Sequence, residues 1–222
     1  MKTFISHVVE SKVLAANIRD ELSACGFDAF VAHEEIEPTR RWESEFWKSL
    51  DSMKLMVALS TAGFKESNWT GQELGFALAR NVPIIPIRIG TDPFGFIAKI
   101  QAISRSQDHT EGFGRELFKL MLANESENLR TLGNDALVCA VCSADNFNEA
   151  NELAAFLPDV TDLLPGQVAS IDAFRANSQL RGSFKFPRAI AHCLTRITGA
   201  TYTVVNDCGQ GQILKRTAPN GL

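Results

Sequence analysis

Apolar and polar residues follow two alternating patterns over the first 125 residues. Short apolar runs predict strands near residues 3–6, 27–32, 55–60, 83–87 and 101–104. Between these runs, apolar residues recur every three or four positions, which predicts helices over 11–25, 41–53, 69–80 and 111–124. Strands that alternate with helices predict an α/β fold, with a central parallel sheet covered by helices on both faces.

The pattern changes after about residue 126. Short amphipathic stretches predict helices over 129–142, 147–156, 167–174 and 189–197. Pro158 and the pair Pro165-Gly166 separate some of these stretches. We therefore expect two parts, an α/β domain over 1–125 and a small, mainly helical C-terminal module over 126–222.

The amino-acid composition and the net charge are those of an ordinary globular protein. The 222 residues are 45% apolar and 22% charged, which is typical of a globular protein that buries a core. The net charge of −4 argues against nucleic acid as a partner of the whole chain. There is no signal-peptide pattern and no apolar run of membrane-spanning length, so we expect a cytoplasmic protein without a membrane contact.

The five cysteines do not predict a disulfide framework, because their number is odd and their spacing is irregular. Cys139 and Cys142 form a CxxC pair inside an apolar run, without a second pair or histidines at ligand spacing. Buried structural thiols are the interpretation that this setting favours, and no metal site is expected.

Basic residues are concentrated near the C-terminus. After Phe174 there are seven of them against only Asp207, a local excess of six positive charges. The seven are Arg175, Arg181, Lys185, Arg188, Arg196, Lys215 and Arg216. One interpretation is a solvated basic face, and the other is a site for an anionic ligand, such as a nucleotide or a nucleic acid signal.

Ligands of parallel α/β sheets bind at the carboxyl ends of the strands. In this sequence those ends are Ser6-His7, Ala32-His33, Ser60-Thr61 and the loop from Gly90. The helix predicted over 69–80 starts from the loop after the third strand, and so opens at the same edge. His7 and His33 are either ligand contacts there or ordinary core and surface histidines.

Trp69 and Glu73 are the strongest candidates for chemistry in this helix. A spacing of four places both side chains on one face, one turn apart. An aromatic ring and a carboxylate together can hold a planar group and stabilise a nearby positive charge. The alternative is structural, because Thr70 and Glu73 also fit a capping box at a helix start.

Several of these segments, taken in order, resemble a Toll/interleukin-1 receptor (TIR) domain of the prokaryotic kind. The matching segments are Phe4-Ile5-Ser6-His7, Gly26 to Val31, the loop that ends in Trp42, Val57 to Ser60, Ser67-Asn68-Trp69 with Glu73-Leu74, and Pro83 to Ile87. The resemblance covers about residues 1–125. It implies a flavodoxin-like fold and, as in many members, cleavage of NAD⁺.

The resemblance also implies roles for individual residues. Glu73 occupies the position of the family's catalytic glutamate, and Trp69 matches an aromatic residue that lines the nucleotide site. Ser6 and His7 match positions that border the same cleft, and His33 begins the segment that matches the family's mobile loop. NAD⁺ is then a substrate, which leaves no separate cofactor to expect, and the product is ADP-ribose or a cyclic isomer.

Partners and biological role are implied by the same resemblance. Members of the family associate with one another through the mobile loop, here residues 33–40, and Pro38 should stiffen that loop. The resemblance suggests anti-phage defence of the Thoeris type, with a nucleotide signal passed to a separate effector. The alternative function is a non-catalytic TIR scaffold that acts through protein contacts alone.

Overall fold

The computed structural model describes residues 1–31, 40–172, 177–207 and 211–217, with only the backbone described at 40–42, 172, 207 and 211–213. The chain folds as two compact units, Met1–Glu116 and Leu117–Leu222. The predicted boundary after residue 125 falls nine residues beyond this division.

Among its described residues, the first unit contains a five-stranded sheet and four α-helices. Its strands are β1 (Lys2–Ser6), β2 (Asp28–Val31), β3 (Leu55–Ser60), β4 (Ile84–Arg88) and β5 (Ile103–Ser104). Its helices are α1 (Lys12–Ala24), α2 (Arg40–Ser52), α3 (Asn68–Ala79) and α4 (Phe113–Leu122), the last of which continues into the second unit. Each lies within a few residues of its predicted position.

All strand pairs in this sheet are parallel, and their order is β2-β1-β3-β4-β5. This is the flavodoxin-like order, so the predicted fold class is confirmed. Pro86 lies within β4, where a missing amide proton would interrupt a ladder. The pairing explains why it is tolerated, because β5 pairs only with Ile87 and Arg88 and its ladder starts after the proline.

The sheet is buried because its central strands are apolar on both faces. All residues of β3 are buried, as are the first four residues of β4. One face packs against α2 and α3, and its cluster includes Phe4, Phe46, Leu50, Met56, Ala58, Phe64, Leu74 and Ala77. Because side chains alternate along a strand, Ser6 and Ser60 project from this same face, at the carboxyl ends of β1 and β3.

The second unit is mainly helical, as predicted. Its helices are α5 (Glu127–Ser143), α6 (Phe147–Leu153), α7 (Pro165–Asp172), α8 (Ser178–Gly182) and α9 (Phe186–Thr198). An antiparallel hairpin of β6 (Thr201–Asp207) and β7 (Gly211–Thr217) follows α9 directly. The pattern of apolar residues predicted neither α8, which has one turn, nor the hairpin.

Polar contacts fix α5 to the loop that precedes α7. Arg130 of α5 pairs with Asp162 at 3.0 Å, and the Asn134 side-chain amide donates to the Asp162 carbonyl oxygen at 2.9 Å. Cys193 lies buried on α9, where burial raises the pKa of its thiol and the nearby Arg196 opposes that shift. Over the described ranges, we find no helix with the length and apolar character needed to cross a membrane.

Candidate active site at the carboxyl edge of the sheet

The start of α3 determines which role Glu73 can have. The cap of this helix is Ser67, whose hydroxyl oxygen accepts from the backbone amide of Thr70 at 3.4 Å. The Thr70 hydroxyl donates to the Phe64 carbonyl oxygen at 2.6 Å and so ties the helix to the preceding loop. Glu73 therefore lies inside the helix, and the interpretation of Thr70 and Glu73 as a capping box is wrong.

Glu73 is a buried carboxylate with a specific partner. Its side chain is on α3, only 5% of the residue is exposed, and Oε2 accepts a hydrogen bond from the Ser6 hydroxyl at 2.5 Å. Burying a carboxylate costs free energy unless hydrogen bonds compensate it. The bond from Ser6 is one such compensation, and it joins two residues that are 67 positions apart in the sequence.

Trp69 lies one helical turn before Glu73 and is far more exposed. It is 46% exposed, and its ring meets the buried Phe46 ring edge to face, with the centroids 5.9 Å apart. This contact to α2 restricts the indole while leaving much of its surface open to solvent. The helix thus presents an accessible aromatic ring on the same face as a buried carboxylate.

Of the two histidines predicted at this edge, the structure describes His7 and does not describe His33. His7 follows β1 directly and is buried, with Nδ1 3.3 Å from the carbonyl oxygen of Ile5, to which the Nδ1–H tautomer would donate. His33 lies outside the described residues, as does most of the predicted mobile loop that it begins. Ser6, Trp69 and Glu73 are therefore the predicted residues that the fold brings together most clearly.

Ser60 is a residue of this edge that the sequence did not single out. It ends β3, it is 1% exposed, and its hydroxyl oxygen has no hydrogen-bond partner among the described residues. A buried hydroxyl normally finds a partner, because leaving it unpaired costs free energy. Its position after a continuous apolar strand, like that of Ser6, was the signal available in the sequence.

Other hydroxyl groups stabilise the same edge. The Ser11 hydroxyl donates to the Thr61 hydroxyl oxygen at 3.0 Å, and both residues are buried. This bond joins the segment after β1 to the segment after β3. In the described part of the chain, no three His, Cys, Asp or Glu side chains are grouped so that they would hold a metal ion.

The arrangement has a definite chemical capability. A buried carboxylate held by a hydroxyl can stabilise positive charge that develops nearby, and it acts more strongly there than in water. An exposed indole on the same face offers a flat surface for a planar ring. Together they suit a substrate in which an aromatic ring is joined to a carbon that becomes cationic.

Comparisons with known proteins identify the family. The sequence profile of the TIR domain family matches residues 3–118, so the chain belongs to the TIR domain family. The solved TIR domain of the Toll-related receptor TRR-2 from Hydra magnipapillata is 17% identical, with a TM-score of 0.43. That alignment covers 53% of this chain and 95% of the receptor domain. Curated protein sequences give no match to this chain.

Proposed function

We propose that this protein cleaves the bond between nicotinamide and ribose in NAD⁺, as a glycohydrolase or an ADP-ribosyl cyclase. The observation that carries the proposal is the buried Glu73 carboxylate, held by the Ser6 hydroxyl at 2.5 Å and one turn from the exposed Trp69. Membership of the TIR domain family supports it, because many TIR domains cleave NAD⁺.

To cleave this bond, the protein mainly has to stabilise the positive charge that develops on the ribose. Nicotinamide in NAD⁺ is already a cationic leaving group, so no general acid is needed. The bond from ribose C1′ to the nicotinamide nitrogen breaks, and its electron pair leaves with neutral nicotinamide. Glu73 then stabilises the oxocarbenium-like ribose electrostatically, and Trp69 stacks against a planar ring of the substrate.

The acceptor decides the product. When water attacks C1′, it loses a proton to solvent and the product is ADP-ribose. When water is excluded and the adenine end folds back, a ring nitrogen attacks C1′ instead and the product is cyclic ADP-ribose or an isomer. Release of such a nucleotide to a separate effector in anti-phage defence is the role that we propose for this activity.

A second function, protein contact through the TIR unit, has its own observation in favour. An apolar cavity of about 640 Å³ lies between α3 and the short 3₁₀ segment Gly95–Lys99. Leu78 and Phe96 line it and are 36% and 85% exposed. Exposed apolar surface of this kind is typical of protein contacts. We propose that TIR units associate with one another, either to assist NAD⁺ cleavage or, in a non-catalytic scaffold, as the whole function.

Release of nicotinamide from NAD⁺ by the purified full-length protein tests the enzymatic function directly. We expect Glu73→Gln to lower turnover roughly a hundredfold or more, because the amide keeps the shape but loses the stabilising charge. The matched control is Glu66→Gln, which makes the same chemical change at an exposed residue just before α3. The control should cleave NAD⁺ at the wild-type rate.

Two results would overturn the enzymatic function. One is the absence of nicotinamide release by the wild type at high protein concentration, with molecular crowding agents and with extract of infected cells. The other is equal turnover by the wild type and the Glu73→Gln variant. In either case, self-association measured by sedimentation would favour the scaffold. Turnover per molecule that rises with protein concentration would favour an enzyme assisted by assembly.

A further inference from the structure

The second unit contains a helix–turn–helix followed by a hairpin. Helix α8 ends at Gly182, three residues form the turn, and α9 begins at Phe186. The hairpin β6–β7 starts two residues after Gly199, which ends α9 in the left-handed conformation with φ 71°. Two helices joined by a turn of three or four residues are the pattern of helix–turn–helix motifs, whose second helix can enter the major groove of DNA.

Side-chain hydrogen bonds fix the turn of this motif. Asn151 on α6 accepts from the Ser183 hydroxyl at 2.7 Å and from the Lys185 amide at 3.1 Å. The Ser183 hydroxyl oxygen in turn accepts from the Phe186 amide at 3.3 Å, at the start of α9. Because α6 also packs against α8 and α9, these bonds set the direction in which α9 leaves the turn.

Hydrogen bonds also fix the other end of α9 and the start of α8. The Tyr202 amide of β6 donates to the Thr195 hydroxyl oxygen of α9 at 3.0 Å. Asn177 caps α8 by accepting from the Gln179 amide at 2.9 Å, and its own amide group donates to the Ala144 carbonyl oxygen at 2.9 Å. These bonds connect the described residues of the helix–turn–helix to Ala144 and to β6.

Helix α9 has one packed face and one cationic face. Its packed face is apolar and consists of Phe186, Pro187, Ile190, Ala191, Cys193 and Leu194. Arg188 and His192 are exposed on the opposite face, four residues apart, and the exposed Lys185 precedes them in the turn. No acidic residue occurs in α9, and Asp207 is the only acidic residue in the sequence from 177 to 217.

Among the residues that the structure describes, the exposed cations of this motif have no carboxylate partners. Lys185 and Arg188, together with Lys215 and Arg216 on β7, are exposed and form no ion pair with any residue that the structure describes. Arg196 differs from them, because its guanidinium donates to the carbonyl oxygen of Val160 at 2.6 Å and so has a structural role. The unpaired cations thus belong to the outer face of α9, its turn and the hairpin.

We propose that this motif binds duplex DNA, with the cationic face of α9 in the major groove and the hairpin against the phosphate backbone. The 13 residues of α9 span about 20 Å, and an α-helix fits the B-form major groove, about 12 Å wide. Lys185 and Arg188 approach phosphates or guanine edges there, and His192 lies one turn further along the groove. Lys215 and Arg216 supply phosphate contacts.

Duplex DNA fits this surface better than two other polyanions. Double-stranded RNA has a major groove too deep and narrow for a helix with side chains to read. A membrane surface would need exposed apolar side chains along the cationic helix, whereas the apolar face of α9 is packed inside the unit. Phe184, 77% exposed in the turn, is a single apolar residue and does not make such a face.

The net charge of −4 is compatible with this proposal, because a phosphate backbone responds to local charge. At physiological ionic strength, charges more than about 8 Å apart at the surface are largely screened from one another. The acidic residues lie outside the motif, except for Asp207. The expectation from total charge that nucleic acid is not a partner therefore does not apply to this surface.

Fluorescence anisotropy with a labelled duplex of mixed sequence, about 24 base pairs long, tests the proposal on the full-length protein. We expect binding at about 50 mM salt that weakens steeply by about 200 mM, as counterion release requires. Arg188→Glu should weaken binding at least about tenfold, and Arg188→Ala should lower the slope of log K against log salt by roughly one.

The matched control is Lys99→Glu, which makes the same kind of charge reversal at an exposed lysine of the first unit. Affinity for the duplex should change less than about twofold in this variant. Methylation of guanine N7 in the duplex should also weaken binding, because that atom lies in the major groove. Circular dichroism and melting of Arg188→Glu check that the motif remains folded.

Three results would overturn the proposal. The first is no binding of the duplex at about 50 mM salt up to about 50 µM protein. The second is equal weakening by Arg188→Glu and Lys99→Glu. The third is tighter binding to double-stranded RNA, or to phosphatidylserine and phosphatidylcholine vesicles, than to the duplex. NAD⁺ cleavage is measured separately, so loss of either activity is distinguishable from loss of the other.

Discussion

The two units place their functional charges in opposite ways. In the first unit the charge is the buried carboxylate of Glu73, which has a defined partner in Ser6 at 2.5 Å. In the second unit the charges are exposed cations such as Lys185 and Arg188, which have no ion-pair partner among the described residues. In the functions that we propose, the first site acts on a group in direct contact and the second attracts a polyanion.

The difference in burial follows from elementary electrostatics. A charge in a poorly solvated site acts strongly at short range, because little water screens it. Exposed charges are each worth little, but several on one face raise the local potential and respond to salt. A buried carboxylate at the carboxyl edge of the sheet therefore favours chemistry on a small substrate, and a cationic helix face favours association with a larger anion.

The largest expected effect comes from crossing the two key variants. Glu73→Gln should lower the turnover of NAD⁺ about a hundredfold or more and leave the affinity for duplex DNA unchanged. Arg188→Glu should weaken duplex binding about tenfold and leave cleavage by the protein alone unchanged. Both activities are measured on each purified protein. If either variant lowers both activities with its fold intact, the two sites do not act separately.

Ser6 and Ser60 distinguish a hydroxyl that holds the carboxylate from a buried hydroxyl that has no hydrogen-bond partner among the described residues. Ser6→Ala removes one donor to Glu73, so we expect a loss of roughly 1–3 kcal/mol in stability and about tenfold in turnover. Ser60→Ala removes a hydroxyl without a partner among the described residues, so stability should stay the same or rise.

The measurements for this pair are thermal melting and nicotinamide release. We expect Ser60→Ala to lower turnover several-fold at an unchanged melting temperature. This loss corresponds to roughly 1 kcal/mol of transition-state stabilisation. Wild-type turnover in Ser60→Ala would remove Ser60 from the site. An unchanged melting temperature in Ser6→Ala would mean that its hydrogen bond to Glu73 contributes little to the folded state.

The sequence predicted the first unit well because its signals are local. Apolar runs of strand length, such as 55–60, predict the strands. The spacing of Trp69 and Glu73 predicts that both side chains lie on one face of α3. The hydrogen bond from Ser6 to Glu73 joins residues far apart in the sequence, so no local pattern contains it. The role of Ser67 as the helix cap was also hidden, because Thr70 and Glu73 fit a competing pattern.

The second unit was predicted less completely, also for physical reasons. Helix α8 has only five residues, too few for a helical period to appear in the sequence. The hairpin depends on pairing between β6 and β7 and on packing against α9, both of which are tertiary. The excess of basic residues was visible, but the exposure of Arg188 on the outer face of α9 depends on the packing of that helix.

The smallest expected effect concerns stability and compares two glycines in helices of the first unit. A Cβ at Gly114 in α4 would lie 2.3 Å from the backbone carbonyl oxygen of Glu21 in α1, whereas a Cβ at Gly75 in α3 would meet nothing within 4 Å. Gly114→Ala should therefore lose about 1–3 kcal/mol, because backbone has to move, and Gly75→Ala should gain up to about 1 kcal/mol from helix propensity. Denaturant unfolding of both variants measures this difference. Equal stability would mean that the backbone of α1 accommodates a Cβ at Gly114 without measurable cost, and the close approach of α1 to α4 would then not limit the size of that residue.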